Sequence, residues 1–116
     1  MVGVTLGDPA GVGPELVKKA LRKIGRSIHV EVLGSTKGIR QGKPTLAGAR
    51  MAYQALRQST LCLKDGRWAA VVNGPVSKEW LHRVGFRHPG QTEFYARAMG
   101  KKVDEVTMMM IGPRLR

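Results

Sequence analysis

The chain has 116 residues, 42% of them hydrophobic and 5% aromatic, which suits one compact domain and is too little for two. It holds no apolar run long enough to span a bilayer, and MVGVTLGDPAG has neither the basic stretch nor the continuous apolar stretch of a secretory signal. Twenty Lys and Arg against eight Asp and Glu give a net charge of +12, a balance that draws polyanions and puts nucleic acid among the partners to weigh. The distribution argues against a dedicated nucleic-acid module. Lys18, Lys19, Arg22 and Lys23 cluster, but the other basic residues are scattered, and the few aromatics are not interleaved with Arg as a stacking platform requires. The lone cysteine, Cys62, excludes an internal disulfide and points to a reducing, cytoplasmic setting.

In chain order, VGVTL (2–6) is short, apolar and β-branched, and predicts a strand. The Gly- and Pro-rich stretch GDPAGVGPE follows. PELVKKALRKI (14–24) then places Leu16, Val17, Ala20, Leu21 and Ile24 on one helical face and Lys18, Lys19, Arg22 and Lys23 on the other. Pro14 suits the first helical position and Gly25 a stop. IHVEVLG (28–34) alternates as a second strand, and STKGIRQGKPT (35–45) is a loop. Leu46, Ala49, Ala52, Tyr53 and Leu56 mark a second amphipathic helix. After the Asp65-Gly66 turn, WAAVVNG (68–74) is apolar throughout, the pattern of a parallel strand buried on both faces. SKEWLHRV (77–84) predicts a short helix capped by Ser77, and TEFYARAMG a helix capped by Thr92 and ending at Gly100. VTMMMIG (106–112) predicts a last buried strand. The alternation gives an α/β class, three layers with a largely parallel sheet, and a single domain over 1–116. A chain stopping at GPRLR after such a strand is expected to be incomplete.

A strand that passes through a Gly-rich turn into a helix aims backbone N–H groups and the positive helix end at the rim of the sheet. Asp8 then sits where ligands of open α/β sheets bind, whereas Glu15 in the first helical turn complements the dipole. The glycines run G-x-x-x-G-x-G. That is not the dinucleotide fingerprint, and no Gly-Lys-Ser/Thr makes it a P-loop. A structural tight turn explains the spacing as well as a ligand site does. NGPVSK and HPGQTEF are two further Gly/Pro junctions expected on the same rim. Lys78 there is either an anion ligand or a solvated cation, and Thr92 either an anion ligand or an ordinary cap.

Together TLGDPAGVGPELV, AAVVNGPVSKEWLHRVGF, HPGQTEFYA and VTMMMIG, in this order, resemble the 4-hydroxythreonine-4-phosphate dehydrogenase family of pyridoxal phosphate biosynthesis. The GD…GxGPE element is also similar to that of isocitrate and isopropylmalate dehydrogenases, which share the wider fold. The resemblance implies NAD- or NADP-dependent oxidation of a phosphorylated hydroxy amino acid at a divalent metal, followed by loss of CO₂, in a homodimer. It implies substrate-binding roles for Gln91, Thr92 and Asp8. Gln91 stands where the family has histidine, and it cannot carry a proton at neutral pH. The family's metal-binding histidines, and the lysine, asparagine and arginine that hold its substrate, lie beyond the point where this chain stops. His29, His82 and His88 match none of those ligands, so the chain is expected to lack a metal site. No catalytic or cofactor-binding residue is identified. Three readings follow. One is a truncated dehydrogenase, inactive alone. Another is a non-enzymatic, basic anion- or nucleic-acid-binding module on a remnant scaffold. The third is a non-functional remnant that folds poorly, with VTMMMIG as an unprotected edge strand prone to association.

Overall fold

Three strands, β1 (Val2–Thr5), β2 (Val30–Leu33) and β3 (Ala70–Asn73), build a parallel sheet in the order β2-β1-β3. The computed structural model describes residues 1–114. Val2 of β1 pairs with Val30 and Ala70, and Thr5 pairs with Leu33 and Asn73. Because side chains alternate across a strand, this register sorts them into two faces. Val2, Val4, Val30, Val32, Ala70 and Val72 share one. Gly3, Thr5, Glu31, Leu33, Val71 and Asn73 share the other.

The second face is well covered. Helix α2 (Leu46–Lys64) lies over it, started by Thr45, whose hydroxyl accepts the Gly48 N–H, and stopped by the Asp65-Gly66 turn. The Trp68 ring rests directly on Gly3, where a Cβ would fall 1.9 Å from it. The Trp68 indole N–H donates to Glu31 at 2.8 Å, and Arg67 pairs with the same carboxylate. Ala52 and Leu56 of α2 join Leu81, Phe86 and Phe94 in the main apolar cluster.

The first face is covered only in part. Helix α1 (Gly13–Ile24) flanks it, but an apolar cavity of about 330 Å³ separates Val2, Val4, Val30 and Val72 from Leu16, Val17 and Leu21. Two short helices complete the described chain, α3 (Lys78–Arg83) and α4 (Gln91–Ala98), followed by a 3₁₀ turn at Val103–Glu105.

Three expectations need correction. Residues 68–74 do not form a strand buried on both faces: β3 is an edge strand, and Val72 is 57% exposed on the open face. Residues 106–112 form no strand, only an isolated bridge at Gly112. A strand exists through its ladder, and no β-ladder partner lies alongside this run, so Met108, Met109, Met110 and Ile111 are each about two-thirds exposed. Thr92 does not cap α4. The helix starts two residues earlier, at Gln91 after an extended Gly90, which provides no side-chain cap.

Candidate functional site

The parallel sheet places the carboxyl ends of β1 and β3 side by side, so the chain segments leaving them form adjacent corners. The corners are bonded to each other. The Gly74 N–H donates to the Thr5 carbonyl at 2.7 Å, and the Asp8 N–H donates to the Pro75 carbonyl at 2.9 Å. Gly7, at φ +75°, is needed for this approach, because a Cβ there would lie 2.2 Å from the Pro75 oxygen. Gly13 presses on the Leu6 carbonyl in the same way, at 2.0 Å. These glycines therefore pack the corner against its own neighbours and leave no open cradle for a dinucleotide.

Asp8 is buried. Its Oδ1 accepts the Ala10 N–H at 2.9 Å, and its carbonyl accepts the Gly11 N–H at 3.0 Å. The carboxylate thus shapes the turn, as an Asx side chain does. A fourth segment, missed from the sequence, joins here: the Gly42 N–H of the 35–45 loop donates to the Ala10 carbonyl at 2.8 Å. The two positive-φ glycines of that loop, Gly38 and Gly42, were its only sequence signal.

The third corner meets the second at Lys78. Ser77 caps α3, its hydroxyl accepting the Trp80 N–H, which leaves the exposed Lys78 ammonium next to Gly90, with its Nζ 3.8 Å from where a Gly90 Cβ would be. Lys78 makes no ion pair among the described residues. Gln91 and Thr92 begin α4 there, both half-buried, at a helix end without a side-chain cap. No hydrogen bond links Asp8 to Gln91 or Thr92 among the described residues. Asp8 reaches the second corner through main chain, and Gln91 and Thr92 follow Gly90, the residue that lies against Lys78. Glu15 is turned away from the site and bonded to Lys19 at 2.8 Å. That hydrogen bond holds its carboxyl below the usual range.

Beneath the rim lies a set of polar side chains that the sequence reasoning missed. Thr5 and Tyr95 both donate to Asn73 Oδ1, at 2.9 and 3.0 Å, and Ser59 Oγ lies 2.8 Å from the Tyr95 hydroxyl. Burial pushes the Tyr95 phenol above its ordinary pKa, while the bonds to Ser59 and Asn73 pull the other way. The available signal was a polar residue closing each apolar strand, Thr5 after VGV and Asn73 after AVV.

The histidines do not converge. His82 and His88 flank Phe86, and the His82 Nε2 meets the His88 carbonyl at 3.2 Å, whereas His29 lies at the opposite, amino end of β2. No group of three or more His, Cys, Asp or Glu able to hold a metal occurs among the described residues. The residues present therefore fit neither a divalent metal nor a nicotinamide dinucleotide. No helix among them is long and apolar enough to cross a membrane.

Comparison with known proteins agrees with this architecture. A 4-hydroxythreonine-4-phosphate dehydrogenase from Zymomonas mobilis is 35% identical over 153 residues, covering 99% of this chain and 46% of its own length. One from Erythrobacter litoralis is 32% identical, with 99% and 47% covered. The chain thus spans about half the length of the curated relatives it matches. A crystal structure of the Burkholderia phymatum enzyme superimposes with a TM-score of 0.77 over 87% of this chain and 44% of that one, at 23% identity, which speaks for the fold alone. The Klebsiella pneumoniae enzyme gives 0.66 at 26% identity, over 86% and 44%. The profile of the pyridoxal phosphate biosynthetic protein PdxA matches residues 12–116, most of the chain, and the chain belongs to the PdxA family.

Proposed function

We propose that this chain supplies the substrate-binding rim of a 4-hydroxythreonine-4-phosphate dehydrogenase. The observation that carries the proposal is the junction of the second and third corners, where an unpaired Lys78 stands beside the uncapped start of α4. In this reading a phosphate there takes an ammonium, the Thr92 hydroxyl and backbone N–H groups, the donor set that helix starts offer to anions, and the Glu93 carboxylate, whose Oε2 lies 3.1 Å from where a Gly90 Cβ would be, swings aside to admit it. Gln91 donates to or accepts from the substrate's hydroxyl or amino group without carrying a proton. Asp8 acts on the ligand through the turn it shapes, by holding the first corner against Pro75.

Oxidation of the alcohol requires a hydride acceptor, NAD or NADP, and in this reading a divalent metal. In this reading both are held by groups outside the described residues, among which no cluster of metal ligands occurs. The 116-residue chain alone is therefore expected to bind the phosphorylated substrate and not to oxidise it. We further propose a cytoplasmic homodimer, a reading supported by the lone buried Cys62 and by the open valine face.

Calorimetric titration with 4-hydroxythreonine 4-phosphate tests the binding. Lys78→Ala should weaken it by about tenfold, in line with loss of one charge-assisted hydrogen bond. Equal affinity of native and variant chains would reject the site, and NADH formation by the purified chain would reject the division of labour. The net charge of +12 favours a second reading, binding of nucleic acid. A salt titration separates the two, since polyanion binding falls steeply and log-linearly with salt.

A further inference from the structure

A row of side chains runs under the three corners, one from each. Thr5 closes β1 two residues before Gly7. Asn73 closes β3 immediately before Gly74. Tyr95 lies one helical turn behind Gln91 and Thr92, at spacings of four and three that put all three on one side of α4. Thr5 Oγ1 and Tyr95 Oη converge on Asn73 Oδ1 at 2.9 and 3.0 Å. Ser59 Oγ touches Tyr95 Oη at 2.8 Å and the Leu56 carbonyl at 2.6 Å. Thr5 and Tyr95 spend their protons on Asn73, so Ser59 divides its single proton between Leu56 and Tyr95. Asn73 is therefore the node of the row.

Among the described residues, the two bonds of Tyr95 are the only hydrogen bonds that join an α4 side chain to another element. The remaining attachment of α4 is apolar packing, through Phe94 and the rings around it. Packing fixes the helix against the core. It sets the height of the helix start less sharply than a directional bond does.

We propose that the Thr5–Asn73–Tyr95 row sets the spacing of the three corners, with Tyr95 a positioning residue for the phosphorylated ligand. Its hydroxyl holds the α4 end that carries Gln91 and Thr92 in place against the β3 corner that carries Lys78. This rests on the rim being a phosphate-binding site, as proposed above.

Tyr95→Phe tests it, because the ring and its packing stay. In the ligand-free chain, amide hydrogen exchange at residues 94 and 95 should quicken by about tenfold while Ala52 and Leu56 in α2 stay unchanged, the effect of one lost bond on local opening. Affinity for 4-hydroxythreonine 4-phosphate should fall by about tenfold. Ser59→Ala removes Tyr95's other partner but touches no corner, and should keep affinity within about twofold. Asn73→Ala combined with Tyr95→Phe should bind no more weakly than the worse single variant, since both break one link. Unchanged exchange at 94 and 95 would overturn the row, and so would equal affinity losses in Tyr95→Phe and Ser59→Ala. If the native chain binds neither the substrate nor inorganic phosphate, the rim assignment fails, and the exchange measurement still decides the row by itself.

Discussion

Asp8 and Lys78 are both charged residues of the rim, yet their surroundings give them opposite duties. The Asp8 carboxylate is buried and bonded to the Ala10 N–H. Asp8→Ala leaves that donor without a partner and should lower stability by about 1–2 kcal/mol, seen as an earlier urea midpoint. Asp8→Asn keeps an acceptor and should recover most of the loss. Lys78 is exposed and unpaired, so Lys78→Ala should change the midpoint by less than about 0.5 kcal/mol while reducing phosphate affinity. Tyr95 adds a pH dependence. Burial raises the folded pKa of its phenol above the unfolded value of about 10, so the neutral form is favoured in the fold. Its contribution is fully present below that unfolded value and is lost as pH climbs through and beyond it. Tyr95→Phe should therefore soften the decline of the urea midpoint above about pH 10. An identical decline in both proteins would assign it to other groups.

At the scale of elements, the corners are held by absence of side chain. Gly13→Ala would put a methyl 2.0 Å from the Leu6 carbonyl and should cost at least about 3 kcal/mol, whereas Gly25→Ala meets open space and pays only for its positive φ of +61°. Thermal melts of the two variants give the comparison. Much of this was legible beforehand. The periods of 2–6, 14–24 and 28–34, the Ser77 cap and the Asp65-Gly66 stop all express rules confined to one element, and they hold. What the sequence could not show depends on neighbours. Whether AVVN is buried on both sides depends on what covers Val72, and whether VTMMMIG is a strand depends on a β-ladder partner alongside it. The α4 start was misplaced because Thr92 looks like a cap, while an extended Gly90 begins the helix two residues sooner. At the site, the three junctions could be read from Gly and Pro. The bonds joining Thr5, Asn73 and Tyr95 could not, because their sequence separations of 68 and 22 residues carry no local pattern.

Taken whole, the molecule is lopsided. One face of its sheet is sealed by α2 and Trp68, and the other presents Val32 and Val72 beside a cavity under α1. Such a face is expected to bind apolar dyes and to self-associate. Val72→Thr should reduce both, measured by anilinonaphthalene sulfonate emission and by light scattering, with little loss of stability, because Val72 is already 57% exposed. Unaltered dye binding would mean that the sheet face is covered in solution. The two tryptophans offer a way to watch these events separately. Trp68 is 2% exposed and clamped between Gly3 and Glu31, while Trp80 is only half-buried, beneath the Arg83 guanidinium at 4.4 Å. The first indole should emit at shorter wavelength and resist iodide, and the second should be quenched readily. With Trp80→Phe, the remaining emission becomes an optical gauge of the sheet alone, read without any added label.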